Sequence, residues 1–316
     1  MTTQGVPVVN LNDFHDPALR DAFVQTLGDA ITRLGFIRVS GHTLEPDTVK
    51  QTYDLSKKFF FQSRDVKERY LVPGGAGQRG YTPFRAEHAK GMDVPDLKEF
   101  WHVGRELPAE HDLSTVYPPN VWPAELPDFR VASLALYSQL ESVSNILLTG
   151  LAIYLGEPED TFTGLTDNGN TILRMIHYPA LDDHTFIPGA VRAAAHEDIN
   201  FITLLITSTA SGLQILTREG DWLDVNAEPG EIVADSGDML SRITNGRLPA
   251  TTHRVINPDV GFTNRFSMPF FVHPRPGAVL RVLESCRGGD YPEPAPDITG
   301  QDFLNQRLAE IGLTTL

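Results

Sequence analysis

The chain predicts an all-β core, a sandwich or jelly roll, preceded by helices that pack on it. Three observations lead there. From about Thr171 to Val272, short β-type runs alternate with turn signals. Before that stretch, apolar residues recur at helical spacing. Across the 316 residues, 41% are hydrophobic and no repeat or low-complexity tract interrupts them, enough for a sizeable core.

Taken in order, Val8 to Leu11 reads as a short strand. Asp16-Pro17 looks like an N-cap followed by proline at the first helical position, and Phe23, Leu27, Ile31 and Leu34 continue the helix until Gly35 stops it. Phe36 to Val39 is a second strand, Pro46 opens a helix to about Phe61, and Asp65 to Tyr70 carries a shorter one. Val72 to Gly80 is a glycine-rich loop without the spacing of a phosphate-binding motif. Pro108 to Pro127 is a proline-rich connection. A long helix follows, with Leu140, Val143, Leu147, Leu151 and Tyr154 on one face and Gly156 near its end. The β-type runs are Thr171 to Tyr178, Phe201 to Thr207, Leu213 to Thr217, Trp222 to Val225, Ile232 to Asp235, Thr251 to Ile256 and Arg265 to Val272. These divide the chain into a helical and strand region at 1–165, a jelly-roll core at 166–280 and an extension at 281–316.

A net charge of -15 disfavours a nucleic-acid surface and an anionic membrane face alike. No apolar run reaches membrane-spanning length, and the first residues lack the basic and apolar regions of an export signal. Cys286, the single cysteine, excludes an intrachain disulfide and a thiolate metal cluster. The expectation is a soluble, cytoplasmic protein acting on a small molecule.

The chemistry concentrates in Ala195-His196-Glu197-Asp198-Ile199 and Thr252-His253-Arg254-Val255. On a strand, His196 and Asp198 point to one face, and a second strand could add His253. Two imidazoles and one carboxylate on one side of a metal leave positions open, the arrangement of non-haem iron oxygenases. A lone His-x-Asp is common, and either histidine could be an ordinary hydrogen-bonded residue. The setting adds weight: the pair leads into the apolar run Phe201 to Ile206, where a buried Asp198 needs a partner or a metal. One expected hairpin later, Arg265 and Ser267 share a strand face, a clamp suited to a carboxylate.

Over most of its length the chain resembles the isopenicillin N synthase-like family of Fe(II) and 2-oxoglutarate-dependent oxygenases. The ordered motifs are Val6 to Leu11, Leu34 to His42, Lys58-Phe59-Phe60, Asp96 to Glu99 and His196-x-Asp198-x4-Thr203-Leu204-Leu205. They continue through Gly212-Leu213-Gln214, Trp222, Pro229-Gly230, Gly237-Asp238, Asn245-Gly246, His253-Arg254-Val255 and Arg265-x-Ser267. The resemblance implies a double-stranded β-helix, with Fe(II) on His196, Asp198 and His253, and O2 as oxidant. It implies that Arg265 and Ser267 hold the far carboxylate of 2-oxoglutarate, with Tyr178 contacting the same cosubstrate. Ile176 stands where many members have asparagine and cannot supply that hydrogen bond. His177, its strand neighbour, should face the other way in a structural role. The implied reaction oxidises a small organic molecule with release of succinate and CO2.

Alternatives are a 2-oxoglutarate-independent oxidase of the same family, a hydrolytic zinc site and a non-catalytic binding module. Substrate-pocket walls are expected from Arg79, Tyr81, Phe84, Arg85, Trp101 and Phe270, although packing or surface is the commoner role of such residues. An Arg79 or Arg85 facing the metal would imply an acidic substrate.

Overall fold

The computed structural model describes residues 5–75, 77–87, 94–180, 190–206, 209, 211–257, 263–288 and 292–310. Ala76 in the glycine-rich loop and Thr207 at the end of one expected strand lie outside them. The strands, in chain order, begin with β1 (Val8–Asn10), β2 (Phe36–Ser40), β3 (Gly80–Thr82), β4 (Glu99–Gly104), β5 (Ile172–Tyr178) and β6 (Ala193–His196). They continue with β7 (Ile202–Ile206), β8 (Leu213–Leu216), β9 (Trp222–Asp224), β10 (Ile232–Ser236), β11 (His253–Val255) and β12 (Arg265–Val272). The α-helices are α1 (Arg20–Leu34), α2 (Pro46–Phe60), α3 (Arg64–Glu68), α4 (Phe129–Leu155), α5 (Thr163–Thr166), α6 (Asp238–Ile243) and α7 (Gly300–Glu310).

Eight strands form one sheet in the order β1-β2-β10-β7-β12-β5-β4-β3, and four form a second in the order β6-β11-β8-β9. The two sheets make the double-stranded β-helix, and the N-terminal strands extend its larger sheet at both edges. Every residue of β10 is buried, and all of β12 except the half-buried Phe271, because helices cover one face and the second sheet covers the other. Such strands read as continuous apolar runs, whereas strands with a wet face alternate. On the helical side, Phe266, Met268, Phe270 and Val272 of β12 join the large core built with α1, α2 and α4. Between the sheets, Phe36, Leu213, Ile215, Val233 and Val255 form a smaller apolar cluster. No helix among the described residues is long and apolar enough to cross a membrane.

Several expected elements shift for identifiable reasons. The Asp16 side chain accepts the Ala18 N–H at 2.8 Å, but Pro17 to Leu19 form a turn and α1 begins at Arg20. Gly35 ends α1 at φ 66°, a left-handed conformation that favours glycine. The Arg265-x-Ser267 strand does not follow His253 in a hairpin, because β11 belongs to the smaller sheet and β12 to the larger. Strands β3 and β4 and helices α6 and α7 went unread: β4 is buried at every position and so shows no alternation.

Candidate metal centre and its two cavities

Strands β6 and β11 pair antiparallel with His196 directly opposite His253. Their ring centroids lie 4.4 Å apart. Asp198 reaches them by another route than the expected one. Strand β6 ends at His196, so Asp198 lies in the following bend and not on a strand face. The start of α6 holds that bend in place: the Asp238 N–H donates to the Asp198 carbonyl at 2.7 Å, and the Gly237 N–H to the Phe201 carbonyl at 2.9 Å. A Cβ on Gly237 would come within 2.4 Å of the Asn200 carbonyl oxygen, so only glycine lets the two segments approach. That contact accounts for the Gly237-Asp238 motif.

Asp198 Oδ1 lies 3.7 Å from His196 Nε2 and 3.9 Å from His253 Nε2. One ligand atom from each residue fits within a 4.8 Å span. A cation about 2.1 Å from such atoms needs them about 3 to 4 Å apart, which both Asp198–imidazole distances meet. Both imidazoles are also oriented for it. His196 Nδ1 meets the Ala194 carbonyl at 2.7 Å and His253 Nδ1 meets the Thr251 carbonyl at 3.1 Å. A carbonyl only accepts, so each Nδ1 carries the proton and each Nε2 keeps its lone pair. The Thr203 hydroxyl donates to Asp198 Oδ2, and Asn200 Nδ2 donates to that hydroxyl at 2.9 Å. Oδ1 is thereby left for a metal. Burial by itself would raise the Asp198 carboxyl, but His253, His196 and the Thr203 hydrogen bond hold it below its ordinary value. Burial, with His196 alongside, pushes the His253 imidazole down to about 4.

Two cavities meet at this point. The inner one, about 70 Å3, is lined by Arg265, Ser267, Tyr178 and Ile176. Register places Arg265 opposite Tyr178 and Ser267 opposite Ile176 across β12 and β5. The Arg265 guanidinium lies 4.8 Å over the Tyr178 ring, and its Nη1 is 3.4 Å from the Ser267 hydroxyl. The outer chamber, about 410 Å3, is lined by Lys98, His102, Arg174, Phe271, His273 and, from α7, Leu304 and Arg307. His196, Asp198, Lys98, Arg174 and Phe271 border both.

The expected pocket walls are corrected by this geometry. Trp101 and Phe270 are fully buried on the helical side, Trp101 4.7 Å from Phe59 and Phe270 4.9 Å from Tyr137 on α4. They point away from the metal because their strand neighbours Phe100 and Phe271 take the inner face. Tyr81 packs in the same helical core, its hydroxyl on Glu99 at 2.5 Å. Arg79 is buried beside Gly104, donating to the Pro118 and Gln78 carbonyls, and borders neither cavity. Arg85 stacks on Phe84 at 4.9 Å, and neither is among the described residues lining these two cavities. The basis for expecting an acidic substrate therefore goes. His177 stacks on Phe266 at 4.6 Å and bonds Glu99 at 2.7 Å, away from the inner cavity.

Arg174 and His273 were missed although a signal existed. Arg174 has the strand parity of Ile176 and Tyr178, and His273 continues that of Arg265 and Ser267. Nothing comparable marks α7, which joins the chamber only through tertiary packing.

A family model described as the 2OG-Fe(II) oxygenase superfamily matches residues 169–274. Another, described as the N-terminal part of a non-haem dioxygenase in morphine synthesis, matches residues 6–125. The chain is 31% identical to the 2-oxoglutarate-Fe(II) type oxidoreductase hxnY of Emericella nidulans, over 96% of this chain and 89% of that one. A 2OG-Fe(II) oxygenase family protein from Caulobacter crescentus superposes with a TM-score of 0.88 and 38% identity, covering 98% and 100% of the two chains. A full-length Neurospora crassa protein, solved in complex with alpha-KG and thymine, gives 0.85 and 26%, covering 98% of each chain.

Proposed function

Because the chain belongs to the Fe(II)- and 2-oxoglutarate-dependent oxygenases of the isopenicillin N synthase type, we propose that His196, Asp198 and His253 are its iron ligands and that Arg265, Ser267 and Tyr178 hold its cosubstrate. The protein is a dioxygenase that oxidises a small organic molecule while 2-oxoglutarate becomes succinate and CO2. His196, Asp198 and His253 would hold the iron, which would supply the redox chemistry of O2 activation when bound.

The protein residues do the rest. The two Nδ1–H to carbonyl bonds fix the imidazoles with Nε2 lone pairs inward, and Thr203 fixes Asp198 with Oδ1 inward. Arg265 offers the far carboxylate a bidentate charged pair and Ser267 adds a hydroxyl donor. Ile176 offers that cavity only an apolar surface. Residues 166–280 are assigned as the catalytic core, 1–165 as the helical and strand support, and 281–316 as the segment whose helix α7 walls the outer chamber.

The observation that carries this reading is the convergence of the three ligand atoms where a small cavity with a buried arginine meets a larger chamber. The 2-oxoglutarate-independent alternative is not favoured, since the relatives are named for that cosubstrate. An anaerobic titration with Fe(II) and then 2-oxoglutarate tests the assignment. Stoichiometric iron and a charge-transfer absorbance on adding 2-oxoglutarate are expected, with iron lost in Asp198→Ala and the absorbance lost in Arg265→Ala at matched cosubstrate. Iron binding unchanged by Asp198→Ala would refute the ligand set.

A further inference from the structure

The outer chamber carries enough chemistry to name a substrate class, on the reading that it holds the substrate of the iron centre. Its β4–β5 wall is a charge network closed on itself. Lys98 Nζ pairs with Glu87 at 2.7 Å and Asp96 at 2.8 Å. Arg174 Nη1 reaches Glu87 at 3.5 Å, and Arg174 Nε donates to His102 Nε2 at 2.5 Å. Among the described residues two cations thus face two carboxylates, leaving no net positive charge on this wall to draw in an anion. Opposite, Glu197, Asp238 and Glu310 outnumber Arg307, which bonds Asp238 at 3.1 Å and Glu310 at 2.7 Å.

Arg174 is fixed as a directional donor. Its guanidinium is stacked 4.2 Å from Phe100 and 5.0 Å from Phe271, while its Nη2 amine has no hydrogen-bond partner among the described residues. His273 supplies the complementary group. Its Nδ1 meets the Phe271 carbonyl at 3.2 Å, so the proton sits there and Nε2 is a lone-pair acceptor on the chamber wall. Burial keeps this imidazole neutral.

We propose that the chamber selects a small, planar, uncharged substrate with an amide-like edge, its carbonyl accepting from Arg174 and its N–H donating to His273, and that it rejects carboxylates. Arg174 and His273 are then specificity residues. The flat Phe271 ring between the cavities would carry the substrate's face toward the iron.

The test uses the anaerobic complex of the full chain with Fe(II) and 2-oxoglutarate. It measures Kd from the paramagnetic broadening of ligand proton signals for three planar probes: 2-pyridone, N-methyl-2-pyridone and benzoate. At least about tenfold tighter binding of 2-pyridone than of either other probe is expected, from the hydrogen bonds lost and the charge repelled. In His273→Phe, the advantage of 2-pyridone over its N-methyl form should vanish, while the Fe(II)–2-oxoglutarate absorbance persists. His273→Leu, smaller and without any acceptor, serves as a second variant should the first misfold. Benzoate binding as tightly as 2-pyridone, no preference among the probes, or an advantage that survives both variants would overturn the proposal. A missing Fe(II)–2-oxoglutarate absorbance in the unmodified protein would instead overturn the iron and cosubstrate assignment on which it rests.

Discussion

The Thr203 hydroxyl decides which oxygen of Asp198 faces a metal. Thr203→Val keeps the shape, removes that donor and leaves the buried Oδ2 unsatisfied. Metal affinity should fall about 10- to 100-fold, the usual range for such supporting contacts. Anaerobic chelator competition measures it, and an unchanged iron Kd would dismiss the role. Arg265 acts through charge and fork geometry together. Arg265→Gln should raise the KM for 2-oxoglutarate by about 100-fold or more, since it removes two charge-assisted hydrogen bonds, each roughly twice as strong as a neutral one. Steady-state assays against cosubstrate concentration would reveal it, and a KM within threefold of the parent would argue against the clamp. Arg265 stood out in the sequence because the run around it is largely apolar, whereas Thr203 appeared only within the motif series that carries the family resemblance. Phe270 and Trp101 lie on the helical side instead, because aromatic character alone does not say which strand face a residue takes.

At the level of elements, β12 separates two tasks by alternation. Arg265, Ser267, Pro269 and Phe271 face the inner cavity, and Phe266, Met268, Phe270 and Val272 face the helices. Phe270→Ala should therefore cost stability, about 3 to 5 kcal/mol for a fully buried phenylalanine. It should leave the KM for 2-oxoglutarate within about threefold. Thermal unfolding and cosubstrate kinetics on one preparation separate these outcomes, and a large KM change with intact stability would contradict the face assignment. The junction of the Asp198 bend with α6 is equally specific. Gly237→Ala must push the Asn200 backbone away, and with it Asp198. Loss of iron affinity with most of the secondary structure retained is expected, measured by metal titration beside circular dichroism.

For the whole molecule, buried neutral histidines link stability to acid. His253 and His273 are both pushed down to about 4, in each case chiefly by burial. His102 is also lowered well below its ordinary value by burial and by Arg174. Each binds a proton more readily unfolded than folded. Between their ordinary value of 6.5 and about 4, the unfolded state therefore holds more protons, and unfolding free energy falls as pH falls. The contribution is complete above about pH 6.5 and is lost on descending to about 4. The Tm of the metal-free protein should drop across that window, and His273→Gln should flatten the drop. Scanning calorimetry from pH 4 to 7.5 checks this, and a Tm that rises on acidification would reverse the sign.

By itself the sequence carried the fold class, pointed to the His-Asp-His ligand set and suggested Arg265 and Ser267 as a carboxylate clamp. Strand periodicity, glycine turns and the ordered His-x-Asp, His and Arg-x-Ser motifs are local in the chain, so a reader of the chain sees them. Only the tertiary structure decided how the ligands converge. Asp198 arrives through a bend clamped by α6, not along a strand, and His253 arrives through register with His196. It also decided what surrounds the iron site. The Lys98–Glu87–Arg174 wall and α7 lie far apart in sequence and meet only when the larger sheet and the C-terminal helix pack. The physical reason is one of range: hydrogen-bonding pattern and side-chain parity act over a few residues, whereas cavity shape and charge balance arise from contacts between distant segments.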